Sequence, residues 1–125
     1  MATVELIDLT LVVKITGVDR FLSFTSQLGI PLSHVTQASL ENAEARTFWK
    51  GLKAPGMNLG STTVGSFHKH DEWVFFDVHN PDHAITINLT DEHYKRLVIE
   101  VDDPEATVNT INQAVTTYHA QKSAS

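Results

Sequence analysis

Glu72-Trp73-Val74-Phe75-Phe76-Asp77-Val78 is followed by Asn80-Pro81-Asp82, then Ala84-Ile85-Thr86-Ile87-Asn88-Leu89, then Arg96-Leu97-Val98-Ile99-Glu100-Val101. All three runs are rich in the β-branched and aromatic residues that suit a pleated, half-buried surface. Asn80-Pro81-Asp82 separates the first two, since proline pre-sets φ and the Asn and Asp side chains satisfy turn amides. Upstream, Thr62–His68 alternates in the same way, and Lys69-His70-Asp71 reads as a hairpin tip. The four runs are expected to be consecutive antiparallel strands. Downstream, Asp103 is a good helix N-cap, Pro104 loses no useful hydrogen bond at the first helical position, and Glu105 favours the positive end of the helix dipole. Val108, Ile111, Val115 and Tyr118 then form one helical stripe, with Ala114 beside it. A strand meander closed by one amphipathic C-terminal helix is the expected architecture, an α+β fold that is mainly β.

The first half is less sharply patterned. Ile7, Leu9, Leu11, Val13 and Ile15 occupy odd positions, as in one long half-buried strand that bends. Val18, Phe21, Leu22 and Leu28 follow helical spacing, and Gly29 with Pro31 stops them, so a short helix over 18–28 is expected. Leu32–Ala38 reads as a second strand, and 41–60 as a long connection. With 125 residues and no repeat or linker, the chain is one domain, 1–125, with its ordered core at about 4–118 and a tail at 119–125 that frays.

These pieces together resemble a family of small bacterial pleckstrin-homology-like (PH-like) domains. The resemblance rests on Ile30-Pro31-Leu32-Ser33-His34-Val35, Leu52-Lys53-Ala54-Pro55-Gly56, Val64-Gly65-Ser66-Phe67, Phe75 to Val78, Ala84 to Leu89, Tyr94 to Ile99 and Glu100 to Glu105. It covers most of the chain, in order. It implies a partly open barrel of two roughly orthogonal antiparallel sheets, capped by the C-terminal helix. The short helix after the first strand is an addition to that plan. A fold of this kind carries binding functions of several sorts, so activity does not follow from it.

Composition narrows the functions. There is no cysteine, which removes disulfides, zinc–thiolate sites and thiol nucleophiles. A net charge of −6 disfavours nucleic acid and acidic lipid. The first residues carry acids rather than a basic stretch before an apolar one, so no signal peptide and a cytoplasmic location are expected. Membrane binding is not expected either, because the first-loop cations Lys14 and Arg20 stand six positions apart with Asp19 between them.

Candidate chemistry is sparse. His68 and His70, two apart, would share one face of a continuous strand, and Asp71, Glu72, His79 or His83 could complete a metal site. The plainer reading is solvated residues at a hairpin tip. No nucleophile elbow, phosphate loop or zincin motif is present. No catalytic residue, metal ligand or cofactor is assigned. Aromatics are the remaining clue: Trp49, Leu52 and Met57 either pack onto the barrel or anchor a protein partner, and Trp73 stands on a strand that is apolar on both faces. Such a strand is central or contacts another subunit. The preferred reading is a non-catalytic module engaging a protein, a peptide or a copy of itself, as a homo-oligomer and by symmetry a dimer. A small-ligand or lipid binder using the barrel mouth is second, and a histidine-dependent metalloenzyme third.

Overall fold

Phe75 and Phe76, adjacent on one strand, are both fully buried, on opposite faces of a five-stranded sheet. The computed structural model describes residues 2–17, 26–41 and 63–124. Within them lie β1 (Ala2–Ile7), β2 (Thr10–Ile15), β3 (Gln27–Pro31), a 3-10 turn at Leu32–His34, β4 (Val35–Ser39), β5 (Thr63–Lys69), β6 (Glu72–Val78), a 3-10 turn at Pro81–His83, β7 (Ala84–Leu89), β8 (Arg96–Glu100) and α1 (Pro104–Ala124). They form a three-stranded sheet, ordered β1-β2-β3, and a five-stranded sheet, ordered β4-β7-β8-β6-β5. The fold is mainly β, with one C-terminal helix.

The expected single strand over 7–15 is instead a hairpin. Asp8 takes left-handed backbone (φ 55) in a two-residue turn, and Ile7 pairs with Thr10 across it. Leu11, Val13 and Ile15 are buried as the alternation predicts, but Ile7 and Leu9 project at the turn, 49% and 58% exposed. The expected helix over 18–28 falls largely outside the described residues, and its last two, Gln27 and Leu28, are strand. Leu32–Ala38 divides into a 3-10 turn and β4.

The strand boundaries at 72–78 and 84–89 stand where the sequence puts them, but the meander does not. β8 inserts between β7 and β6, antiparallel to the first and parallel to the second. The connection after β6 must therefore cross the end of β8, about two strand spacings or ~10 Å. Glu100, the last residue of β8 and 7% exposed, holds it: its carboxylate accepts from the N–H groups of His79 (2.7 Å) and Asn80 (3.0 Å). The N–H of Val101 donates to the His83 carbonyl at 3.1 Å. The His70-Asp71 tip places both residues at positive φ (54 and 61), as a type I′ hairpin turn requires.

One core unites Leu11, Val13 and Ile15 of β2, Phe75, Ile87, Leu97 and Ile99 of the larger sheet, and Val108, Ile111 and Val115 of α1. The Asp103 carboxylate accepts from the Ala106 N–H at 3.1 Å, the expected N-cap. Burying the three helix aliphatics contributes about 1.5–3 kcal/mol each as an upper bound. The helix continues past Tyr118, where its apolar stripe ends, to Ala124. On the reverse face of the larger sheet, Val74, Phe76, Val78, Ala84 and Val98 make a second buried cluster with Phe67 against it. The two-faced apolarity of β6 is thus accounted for by its interior place in the sheet.

Candidate functional site

Trp73 is the large aromatic that the second sheet leaves exposed, at 37%. It sits at the start of β6, opposite His68 of β5. The loop 90–95 comes up on its other side, from the end of β7 to the start of β8. As a result the indole is flanked by two imidazoles, His68 at 4.9 Å and His93 at 5.2 Å between ring centroids, both inclined at 29°. His93 meets Tyr94 edge-on at 4.9 Å, and Tyr94 meets the buried Phe75 at 5.7 Å. The Tyr94 and Ser66 hydroxyls share a 2.6 Å hydrogen bond. Aromatic contacts therefore run from the core to the surface and leave an indole edge in water.

Backbone and ion-pair contacts fix this loop. The Lys95 N–H donates to the Trp73 carbonyl (2.7 Å), the Leu89 N–H to the Lys95 carbonyl (2.9 Å) and the Thr90 N–H to the His34 carbonyl (2.9 Å). The His34 Nδ1 lies 2.5 Å from a Glu92 carboxylate oxygen. Arg96 donates to Glu72 at 2.9 Å across the parallel strand pair. The loop is held at both ends and in its middle.

Between the hairpin tip and this loop lies an open cleft of about 370 Å³, lined by Asp71, Glu72, Trp73, Asp91, Glu92 and Lys95 among others. Glu72 is paired with Arg96, and Glu92 is hydrogen-bonded to His34. Asp71 and Asp91, both in left-handed backbone (φ 61 and 58), set the sign of the rim against Lys95. An indole edge beside carboxylates can receive an apolar stem that ends in a cation.

Of the residues singled out in the sequence, Trp73 lies in this corner, while Trp49, Leu52 and Met57 lie outside the described residues. His68 and His70 do not share a strand face: His68 stacks on Trp73 and His70 lies in the turn. Among the described residues no three His, Asp or Glu side chains gather to hold an ion. The sequence reading missed His34, Ser66, Glu92, His93 and Tyr94. The adjacent His93-Tyr94 in a short, otherwise polar inter-strand loop was the available signal. Among the described residues no helix is long and apolar enough to cross a membrane. Compared with known proteins, the chain matches no family model, no curated protein and no solved structure.

Proposed function

We propose that this chain is a non-catalytic binding module that takes a basic peptide segment of a protein partner at the Trp73 corner. The observation that carries the reading is Trp73 itself, a large aromatic locked by flanking rings, presented on a strand, at the lip of a carboxylate-lined cleft. Interfaces concentrate their binding energy in aromatic anchors of this type. The rim carboxylates and the net charge of −6 favour a cationic partner. The proposal extends to the architecture: two sheets around one core, with a helix packed on it, support a variant of the partly open PH-like barrel. The parallel β6–β8 pair is a departure from the all-antiparallel plan. Action in the cytoplasm belongs to the same proposal.

Selection from a random peptide display library tests it. Selected sequences should be enriched in Lys and Arg, bind more weakly as salt rises, and lose about 30-fold in affinity to Trp73→Ala, the size of an aromatic hot spot. Asp91→Asn, which keeps a residue tolerant of left-handed backbone, should weaken the same peptides. Peptides that bind both variants as well as wild type, or a selection that enriches nothing, would overturn the reading.

A further inference from the structure

We propose that β5 is a self-association edge. It pairs antiparallel with β5 of a second copy about a two-fold axis at Ser66, joining the two larger sheets into one. The described sheets end in four edge strands, β1, β3, β4 and β5. Sheet edges invite pairing unless something blunts them. β1 is closed at one end, where Ala2 is 2% exposed and part of the core. β3 ends in Pro31, which has no N–H to offer. β4 is interrupted by a bulge between Val35 and Gln37, and the Asn112 side chain bonds both the N–H and the C=O of Ala38.

β5 has no such device. From Val64 to His68 it holds no proline, lysine, arginine or carboxylate, and its ladder to β6 runs without a shift from Thr63 to Lys69. Gly65 takes positive φ (129) without breaking that register. Lys69 and Glu72 flank the two-residue type I′ turn and so form a hydrogen-bonded pair, which makes the odd residues of β5 bond toward β6. The far side of β6 gives the same phase, because the Trp73 carbonyl accepts from the Lys95 N–H there. The N–H and C=O of Val64, Ser66 and His68 therefore point outward. Ser66 and His68 are exposed and Val64 is half-buried. Beyond the ladder, none of the three makes a backbone hydrogen bond among the described residues.

The strand is complementary to itself in one register. With the axis at Ser66, Ser66 meets Ser66 of the second copy, a pair whose hydroxyls can hydrogen-bond, and Val64 stands opposite His68. The three outward residues of each copy then bond one another. Phe67 falls opposite Gly65 of the second copy, an aromatic beside a glycine as edge glycines need. An axis at Gly65 sets glycine opposite glycine, and one at Phe67 runs Val64 against His70 of the turn. The Ser66 axis alone pairs all 7 residues of the strand with one another. An isologous two-fold contact is the symmetry that such pairing produces. One strand contributes less area than the roughly 1,200 Å² of a stable interface, so association on the order of tens of micromolar is expected. The pairing uses the backbone of β5 and does not rest on the peptide reading. Its consequence for that reading is that both Trp73 corners lie on one face of the joined sheet, about 20 Å apart by strand spacing and rise, where one partner can reach both.

Sedimentation velocity over roughly 1–300 µM tests the proposal without any peptide. Wild type should shift from monomer to dimer with concentration. Ser66→Lys and Ser66→Asp, each on an exposed side chain, set like charges opposite each other at the axis and should stay monomeric, with cooperative melts showing that both fold. Mixed in equal amounts, the two should form a heterodimer, because the axis now sets Lys against Asp. Leu6→Lys, exposed on the β1 edge, should dimerise like wild type. A strict wild-type monomer, a dimer that survives in either Ser66 variant alone, a mixture that stays monomeric, or a dimer lost in Leu6→Lys would overturn the pairing.

Discussion

Removing the Asn112 side chain should destabilise the protein well beyond what a half-buried polar residue on a helix suggests. Asn112 reaches across 74 residues of sequence to accept from the Ala38 N–H at 2.7 Å and to donate to its carbonyl at 2.8 Å. Ala38 is 4% exposed and its strand ends the larger sheet, so the side chain does the work of a missing neighbouring strand. Asn112→Ala strips a buried donor and a buried acceptor of their partners, at about 1–3 kcal/mol each. Alanine's better helix propensity offsets about 0.5 kcal/mol. The net loss should be about 1.5–5.5 kcal/mol, a fall of roughly 5–25 °C in Tm for a domain of this size. Urea denaturation followed by circular dichroism measures it, with an unchanged m-value showing that the loss lies in the native state. Gln113→Ala, one exposed position on, should stay within about 0.5 kcal/mol of wild type. If Asn112→Ala also stays within that range, the side chain is not the edge partner and the reasoning fails.

Ile111 is fully buried where α1 meets the core, so Ile111→Ala should cost about 2–5 kcal/mol in the same assay, and a loss below ~1 kcal/mol would deny the helix its place in that core. Replacing His70-Asp71 by Asn-Gly should raise stability by about 0.5–1 kcal/mol, because both positions need left-handed backbone that Gly and Asn adopt more cheaply. A destabilised Asn-Gly variant would argue against the tight turn.

Local pattern carried much of this fold, and non-local pairing carried the rest. The strands at 72–78 and 84–89 were legible because dense apolar residues end sharply at turn residues. Asp103-Pro104 announced the helix start for an equally local reason. The first hairpin was not legible: the aliphatics Ile7 and Leu9 continue the odd-numbered period of β2 straight through the turn, and Asp8 supplies the left-handed bend without an Asn-Gly signal. The insertion of β8 beside β6 was invisible because alternation reports faces, not neighbours, and its clasp is one glutamate that reads as an ordinary strand-end charge. Asn112 did leave a trace, a polar residue at a stripe position between Ile111 and Val115. Of the corner, only Trp73 was marked. Its contacts with His68 and His93 depend on a hairpin tip and a loop that meet through the sheet order.

The most direct test of the Trp73 corner is to titrate a selected Lys/Arg-rich peptide into isotope-labelled protein and follow the backbone amide resonances. Shifts concentrated at residues 66–73 and 90–96, and abolished by Trp73→Ala, are the predicted result. Saturable shifts that fall instead on β1 or α1, with the amides of Trp73, His93 and Tyr94 unmoved, would contradict it.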